Sequence, residues 1–344
     1  MAVDPTILMI LIILLYSLAI GIAIGIGAND ETLATVAGTG KLKINHVLLI
    51  GVVCAIIGAV VFGGGTSETI GGDLMHESIR TAAFMLAIIS STIFWLLISS
   101  LKSLPVSTTH AVVGAVIGVG VLAFFFPWSG LTPGAAPIGA EGIIKVMIGW
   151  ITSPIVGFCG AYGVHLLISR YVMKNLKGLD QIEKAEKIFV WLLLGIVIFS
   201  ALTRAGNDVA NSVGILSGFQ GIPLLPLPLL LLISGCGMAA GLFIIGRRVI
   251  TNVGENIVSL KPSDAFSVEL SVMIALTIFT LIGMPISGTQ VLIFAIMGSS
   301  RAKREKPNAK AIKKIVISWI ITIPIAAAVA IGFYFLYFWI PWGI

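Results

Sequence analysis

Charge is what this sequence has least of. Its 344 residues carry 21 Lys and Arg and 15 Asp and Glu side chains, so charged residues make up 10% against ~25% in ordinary soluble domains. That is too few to cover the surface of a soluble protein of this length. Cysteine is scarce as well: Cys54, Cys159 and Cys236 each lie within an apolar run and match no metal or redox spacing. They read as small core hydrophobes, which excludes a disulfide scaffold. Only Asp4 precedes the apolar run that opens at Ile7, and no basic segment stands before it. A signal peptide is therefore not expected, and the run reads as a first membrane helix.

Apolar residues fill the deficit. They reach 58% of the chain against a usual ~45–50%, and the mean hydropathy is +1.09. The expected class is an all-α integral membrane protein, not a soluble enzyme. A net charge of +6 and an isoelectric point near 9.3 would suit nucleic acid in a soluble chain. Here basic residues have a better use in setting membrane topology, and no nucleic-acid partner is expected.

A crossing helix needs ~20 apolar residues, and ten runs approach that: 6–26, 44–64, 81–100, 104–126, 143–169, 188–204, 223–245, 269–284, 288–299 and 315–340. About 10–12 transmembrane segments are expected. The run 288–299 is too short to span, and 188–204 runs into Arg204-Ala205-Gly206-Asn207-Asp208, so broken helices or re-entrant hairpins are expected there. Irregular backbone at membrane depth is tolerated only in protein or beside a polar cavity. Broken elements therefore point to function. The segments 170–187 and 301–314 are rich in Lys and Arg, which places both in the cytoplasm. Counting crossings from them puts Lys41, Lys43, Lys102, Arg247, Arg248 and Lys261 inside, and the Lys- and Arg-free loop 127–142 outside. Both termini are expected outside.

Two polar motifs recur at nearly one offset. Gly27-Ala28-Asn29-Asp30 is answered 178 positions later by Ala205-Gly206-Asn207-Asp208, and Leu104-Pro105-Val106-Ser107-Thr108-Thr109-His110 returns after 180 as Met284-Pro285-Ile286-Ser287-Gly288-Thr289-Gln290. The chain reads as a tandem duplication: residues 1–169, a basic cytoplasmic connecting loop at 170–187, and residues 188–344. Five crossings per half, an odd number, would turn the second copy upside down. Inverted repeats of this kind belong to transporters, with the substrate site where the halves meet near mid-membrane.

An ionised Asp in a hydrocarbon span costs ~2.5–3.5 kcal/mol even on the lenient insertion scale, so Asp30 and Asp208 need partners. Hard cations take oxygen ligands, and carboxylate, Asn amide and main-chain carbonyls freed at a helix break would supply them. Sodium or a proton is the natural partner. Gly27 and Gly206 would permit the backbone to leave helical geometry there. Pro105 and Pro285 fit the first turn of a helix, which sets Ser107, Thr108 and Thr109, and Ser287, Gly288 and Thr289, at helix N-termini. Free N–H groups and the positive dipole end make such a terminus an anion site. Two of them meeting would surround a small tetrahedral oxyanion. Carboxylates beside an anion repel it unless cations intervene, which is the physical argument for symport. Phosphate carries a proton at neutral pH that sulfate lacks, so an acceptor in the site could favour phosphate.

Gly27-Ala28-Asn29-Asp30, Gly206-Asn207-Asp208-Val209-Ala210-Asn211-Ser212 and the paired hairpin motifs resemble the inorganic phosphate transporter (PiT) family along the whole chain. The resemblance implies phosphate uptake coupled to sodium or protons by alternating access, a homodimer, no organic cofactor and no enzymatic activity. It implies that Asn29, Asp30, Asn207, Asp208 and Asn211 bind ions and shape the pocket, with sodium at Asn29, Asp30, Asn207 and Asp208, and that Ser107–Thr109 and Ser287–Thr289 hold the anion. The chain departs from the family at Glu31-Thr32-Leu33, where Val-Ala-Asn is usual, and at Gly288, where Thr is usual. It also lacks a large hydrophilic central domain, which implies a prokaryotic source and a multi-pass place in the cell membrane.

Glu68 and Glu269 resemble family acids near the ion pathway. Arg204 is expected to snorkel to the outer interface or help attract phosphate, and His110, matched by Gln290, is not expected to relay protons. The Gly21-x3-Gly25 and Gly114-x3-Gly118 spacings suit close helix packing. Two other readings stand open: a cation/proton antiporter, which has no need of the paired Ser/Thr turns, and an intramembrane aspartyl hydrolase with Asp30 and Asp208 as its dyad.

Overall fold

The computed structural model describes residues 5–74, 81–125, 139–217, 225–256 and 260–338, and within them every regular element is helical. That follows from the solvent. A lipid-embedded backbone has no water to satisfy its N–H and C=O groups, so each apolar run closes its own hydrogen bonds. Helix α1 (Pro5–Asn29) unwinds over 30–33 and is followed by a short α2 (Ala34–Gly38), α3 (Ile44–Phe62) and α4 (Gly64–Glu68), which passes into a π-helical turn at Thr69–Asp73. Next come α5 (Ala82–Leu101), α6 (Thr108–Phe125), α7 (Ala140–Tyr171) and α8 (Leu179–Ser217). The chain ends through α9 (Leu227–Gly241), a second π-helical turn, α10 (Arg247–Asn256), α11 (Pro262–Leu281), α12 (Gly288–Lys303) and α13 (Ala309–Phe338).

Nine helices among the described residues are long and apolar enough to cross a membrane, one fewer than the ten runs. The tenth, 288–299, forms α12. At 16 residues and 1.5 Å per residue it falls short of a ~30 Å hydrocarbon core. The basic segment 170–187 is mostly helix rather than loop: α7 runs to Tyr171, a single 3-10 turn covers Met173–Asn175, and α8 begins at Leu179. Most of the loop 127–142 lies outside the described residues, as do the first four and last six residues.

The predicted break at Gly206 is absent. Helix α8 continues for 39 residues straight through Arg204, Asn207 and Asp208, so no carbonyls are freed there. A Cβ on Gly206 would lie 2.4 Å from Phe62 Cβ and 2.7 Å from the Phe62 carbonyl carbon. This glycine lets α3 approach α8. Helix α1, by contrast, does unwind directly after Asn29, so the two Asn-Asp pairs sit in different backbones.

The hairpins α5–α6 and α11–α12 are the more buried elements. Each packs against the last long helix of the opposite half, α5–α6 on α13 and α11–α12 on α7. Lipid tails are as apolar as leucine, so packing and polar contacts hold such an interface together. Gly114 and Gly118 bear on the Ile323 and Ala327 backbone, while Gly21 and Gly25 meet Ile93 and Leu96. The Ser91 hydroxyl donates to the Ala326 carbonyl at 2.7 Å, and the Trp95 indole N–H to Thr322 Oγ1 at 2.9 Å. Of the cysteines only Cys54 is in the core. Cys159 and Cys236 are exposed on the apolar helices α7 and α9, which corrects the expectation of three core thiols.

Candidate functional site

The two hairpin turns are built alike. Helix α5 closes on Ser103 at φ 54° and α11 on Gly283 at φ 67°, and the next N–H reaches back to the ending helix in both: Leu104 to the Ser99 carbonyl at 2.9 Å, Met284 to the Phe279 carbonyl at 2.8 Å. Four extended residues follow, 104–107 and 284–287, before α6 starts at Thr108 and α12 at Gly288. Pro105 and Pro285 thus lie in the extended segments, not in the first helical turn as expected. Proline's fixed φ and missing donor suit an unpaired stretch equally well. The serines become caps: Ser107 Oγ accepts from the His110 N–H at 3.2 Å and Ser287 Oγ from the Gln290 N–H at 3.3 Å. The first-turn N–H groups beyond them have no carbonyl within their own helix.

The asparagines hold these turns in place. Asn29 Nδ2 donates to the Val106 carbonyl at 2.6 Å while its Oδ1 accepts from the Val106 N–H at 3.4 Å. Asn207 Nδ2 donates to the Met284 carbonyl at 3.2 Å and its Oδ1 accepts from the Ile286 N–H at 3.4 Å. Both carboxamides therefore brace hairpin backbone that would otherwise be unsatisfied in the membrane interior.

The aspartates surround a cation that belongs to the protein. Arg204 does not snorkel. It is 3% exposed, among Asp30, Glu31 and Asp208, all buried. Its Nε lies 3.2 Å from Asp208 Oδ2 and 3.6 Å from Asp30 Oδ1. One Nη pairs with the Glu31 carboxylate and stands 3.4 Å from Thr289 Oγ1. Asp30 also turns its carboxylate onto the Thr32 N–H at 2.9 Å, which holds the unwound segment. A buried arginine is tolerated only when its planar fork is met by carboxylates, because desolvating an unpaired charge costs several kcal/mol.

Both Ser/Thr turns, with Asn29, Asp30, Arg204 and Asp208, line one chamber. Thr109 Oγ1 donates across it to the Ile286 carbonyl at 3.1 Å, so the two hairpins touch. The free space is only about 10 Å³, on the order of one water, and an oxyanion fits only when the turns part or Arg204 shifts. The lining offers hydroxyl and first-turn N–H donors for an anion, with carboxylate and hydroxyl oxygens for a hard cation.

Four predicted residues lie outside the chamber lining, and Asn207 is the first: its carboxamide reaches Thr280 and the hairpin backbone instead. Asn211 is buried, but its amide donates to the Asp208 carbonyl of its own helix at 3.1 Å and it does not line the chamber. Glu68 is exposed. Glu269 is fully buried and accepts from Thr35 Oγ1 at 2.7 Å, outside the lining. What sequence reasoning undervalued is the Arg204–Glu31 pair. The available signal was an arginine four residues before Asp208, on the same helix face.

The sequence model of a family described as the phosphate transporter family matches residues 26–330. The chain is 26% identical to a protein of Pyrococcus horikoshii named as a phosphate permease, over 95% of this chain and 97% of that one. It is 25% identical to a Bacillus subtilis protein named as a low-affinity inorganic phosphate transporter, over 97% and 98%. A solved structure described as a sodium-dependent phosphate transporter shares the fold, with a TM-score of 0.83, 23% identity, and 96% and 99% of the two chains covered.

Proposed function

From the premise that this chain belongs to the phosphate transporter family, we propose that it takes up inorganic phosphate by secondary active transport, with the anion held between the Ser107–Thr109 and Ser287–Thr289 turns. One observation carries this assignment: the two turns meet at a single buried chamber. Each turn alone is a capped helix start. Together they set hydroxyls and two positive dipole ends around one point.

Charge argues for cation coupling. Counted as ionised, the three carboxylates of Asp30, Glu31 and Asp208 less the one guanidinium of Arg204 leave two negative charges, before the anion adds its own. Cations arriving with phosphate remove that repulsion, and sodium or protons would do it. Sodium is favoured by the likeness to a transporter described as sodium-dependent. Asp30 and Asp208 are its ligands in this reading, with Asn29 and Asn207 holding the hairpins at the same place and Asn211 shaping the pocket from behind. Glu269 lies further along the ion path; Glu68 is exposed and has no part in the chamber.

The matched turns and cross-packed hairpins support two inverted repeats that open the chamber alternately to each side. The protein acts as a homodimer in a prokaryotic cell membrane. Neither an antiporter nor an aspartyl hydrolase explains two Ser/Thr turns converging on one chamber. Proteoliposomes holding the purified chain test the assignment: labelled phosphate should accumulate when sodium is supplied outside. Sodium-for-proton exchange without phosphate movement would establish the antiporter in its place, and peptide cleavage the hydrolase.

A further inference from the structure

Arg204 reaches three separate elements at once. It rises from α8, pairs with Glu31 in the unwound segment after α1, and borders the start of α12 through Thr289. Gly288 is what admits it there. A Cβ on that glycine would stand 2.8 Å from both Cζ and Nε of the guanidinium, closer than nonbonded carbon can approach. Glu31 and Gly288 thus both border this one side chain. The guanidinium is also incompletely satisfied: Nη1 is buried with no hydrogen-bond partner among the described residues. A buried donor of this kind is costly unless an acceptor arrives, and the chamber it lines is the one assigned to an oxyanion.

Resting on the phosphate-uptake reading, we infer that Arg204 is a tethered counter-ion that takes the place of one coupling cation, so that this transporter loads phosphate with less sodium than its acid count alone would demand. The charge arithmetic is direct. Three carboxylates need three cations for neutrality, and one of them is already covalently present. Its fork meets carboxylates now and offers Nη1 to a phosphate oxygen when the turns part, in the geometry arginine uses for both anions. Glu31 holds the fork in place; Gly288 leaves room for it.

Sodium titrations of labelled phosphate uptake into proteoliposomes, using the full chain, test this. Arg204→Gln should shift the sodium curve by steepening it, with about one more sodium ion in its apparent order, because the vacated charge must be replaced before phosphate loads. The double variant Arg204→Gln with Glu31→Gln removes one charge of each sign and should return the sodium curve close to wild type. An unshifted curve in the single variant, or a double variant as sodium-hungry as the single, overturns the inference. If Arg204→Gln carries nothing at any sodium concentration, Arg204→Lys decides: with the charge kept and the fork lost, it should hold the wild-type sodium curve and bind phosphate more weakly, and a shifted sodium curve overturns the inference. Wild-type protein that moves no phosphate at all sinks the transport reading together with this one, whereas uptake with indifferent variants sinks this one alone.

Discussion

Asn29 grips the Val106 peptide from both sides, giving its amide hydrogen to the carbonyl at 2.6 Å and taking the N–H at 3.4 Å. The residue that sequence reasoning assigns to ion binding is thus the strut of the Ser107–Thr109 turn. On the proposed function, ion site and anion site are joined through this one side chain.

Asn29→Ala should therefore damage phosphate binding as much as ion binding. It leaves both polar groups of the Val106 peptide unmatched, a penalty of about 1–3 kcal/mol each when buried. The expected outcome in proteoliposome uptake is a raised KM for phosphate, with a lowered Tm in detergent. An unchanged KM would show that the turn stands without its strut.

Asp208 is one helical turn from Arg204, with 3.2 Å between Oδ2 and Nε. Asp208→Asn keeps the shape and removes a charge. Uptake should fall and its sodium dependence weaken; a transport rate and sodium curve both equal to wild type would defeat the assignment.

Thr109→Val tests the contact between the hairpins. The replacement keeps the volume and deletes the donor to the Ile286 carbonyl, leaving a buried acceptor unpaired at a cost of about 1–3 kcal/mol. Uptake at low phosphate should drop, because the same hydroxyl is lost to the anion. Equal initial rates over a phosphate titration would place Thr109 outside the binding machinery.

Gly206→Ala asks whether this glycine serves packing or bending. With Phe62 Cβ only 2.4 Å from the added methyl, α3 and α8 must separate, which should cost about 1–3 kcal/mol as overpacking. Thermal unfolding in detergent reads it. A Tm equal to wild type would mean that the helices yield there freely.

The membrane class was legible because it depends on totals, and totals survive ignorance of packing. The hairpins were legible because Pro-x-Ser at one offset from its copy needs only local chemistry, and both turns prove to have one geometry, down to the left-handed residue at 103 and 283. The proline placement was missed by a few residues because proline fits an extended segment as well as a first turn. The break after Asn29 and its absence at Asn207 could not be told apart, since glycine before each pair is equally consistent with unwinding and with a neighbouring helix pressed close. Arg204 was misjudged for a related reason. Its cost in lipid is visible in the sequence, whereas its three carboxylate partners come together only when residues 30, 31 and 208 fold to one place. Glu31 looked like an interruption of a motif until the guanidinium beside it was known.

The hydrogen that Thr109 lends to Ile286 is the same hydrogen an arriving oxyanion would claim. On the proposed assignment, contact and anion compete for it, and binding must break the bridge between the two hairpins. With room for little more than a lone water behind that contact, the chamber as it stands offers no wet corridor through the helices.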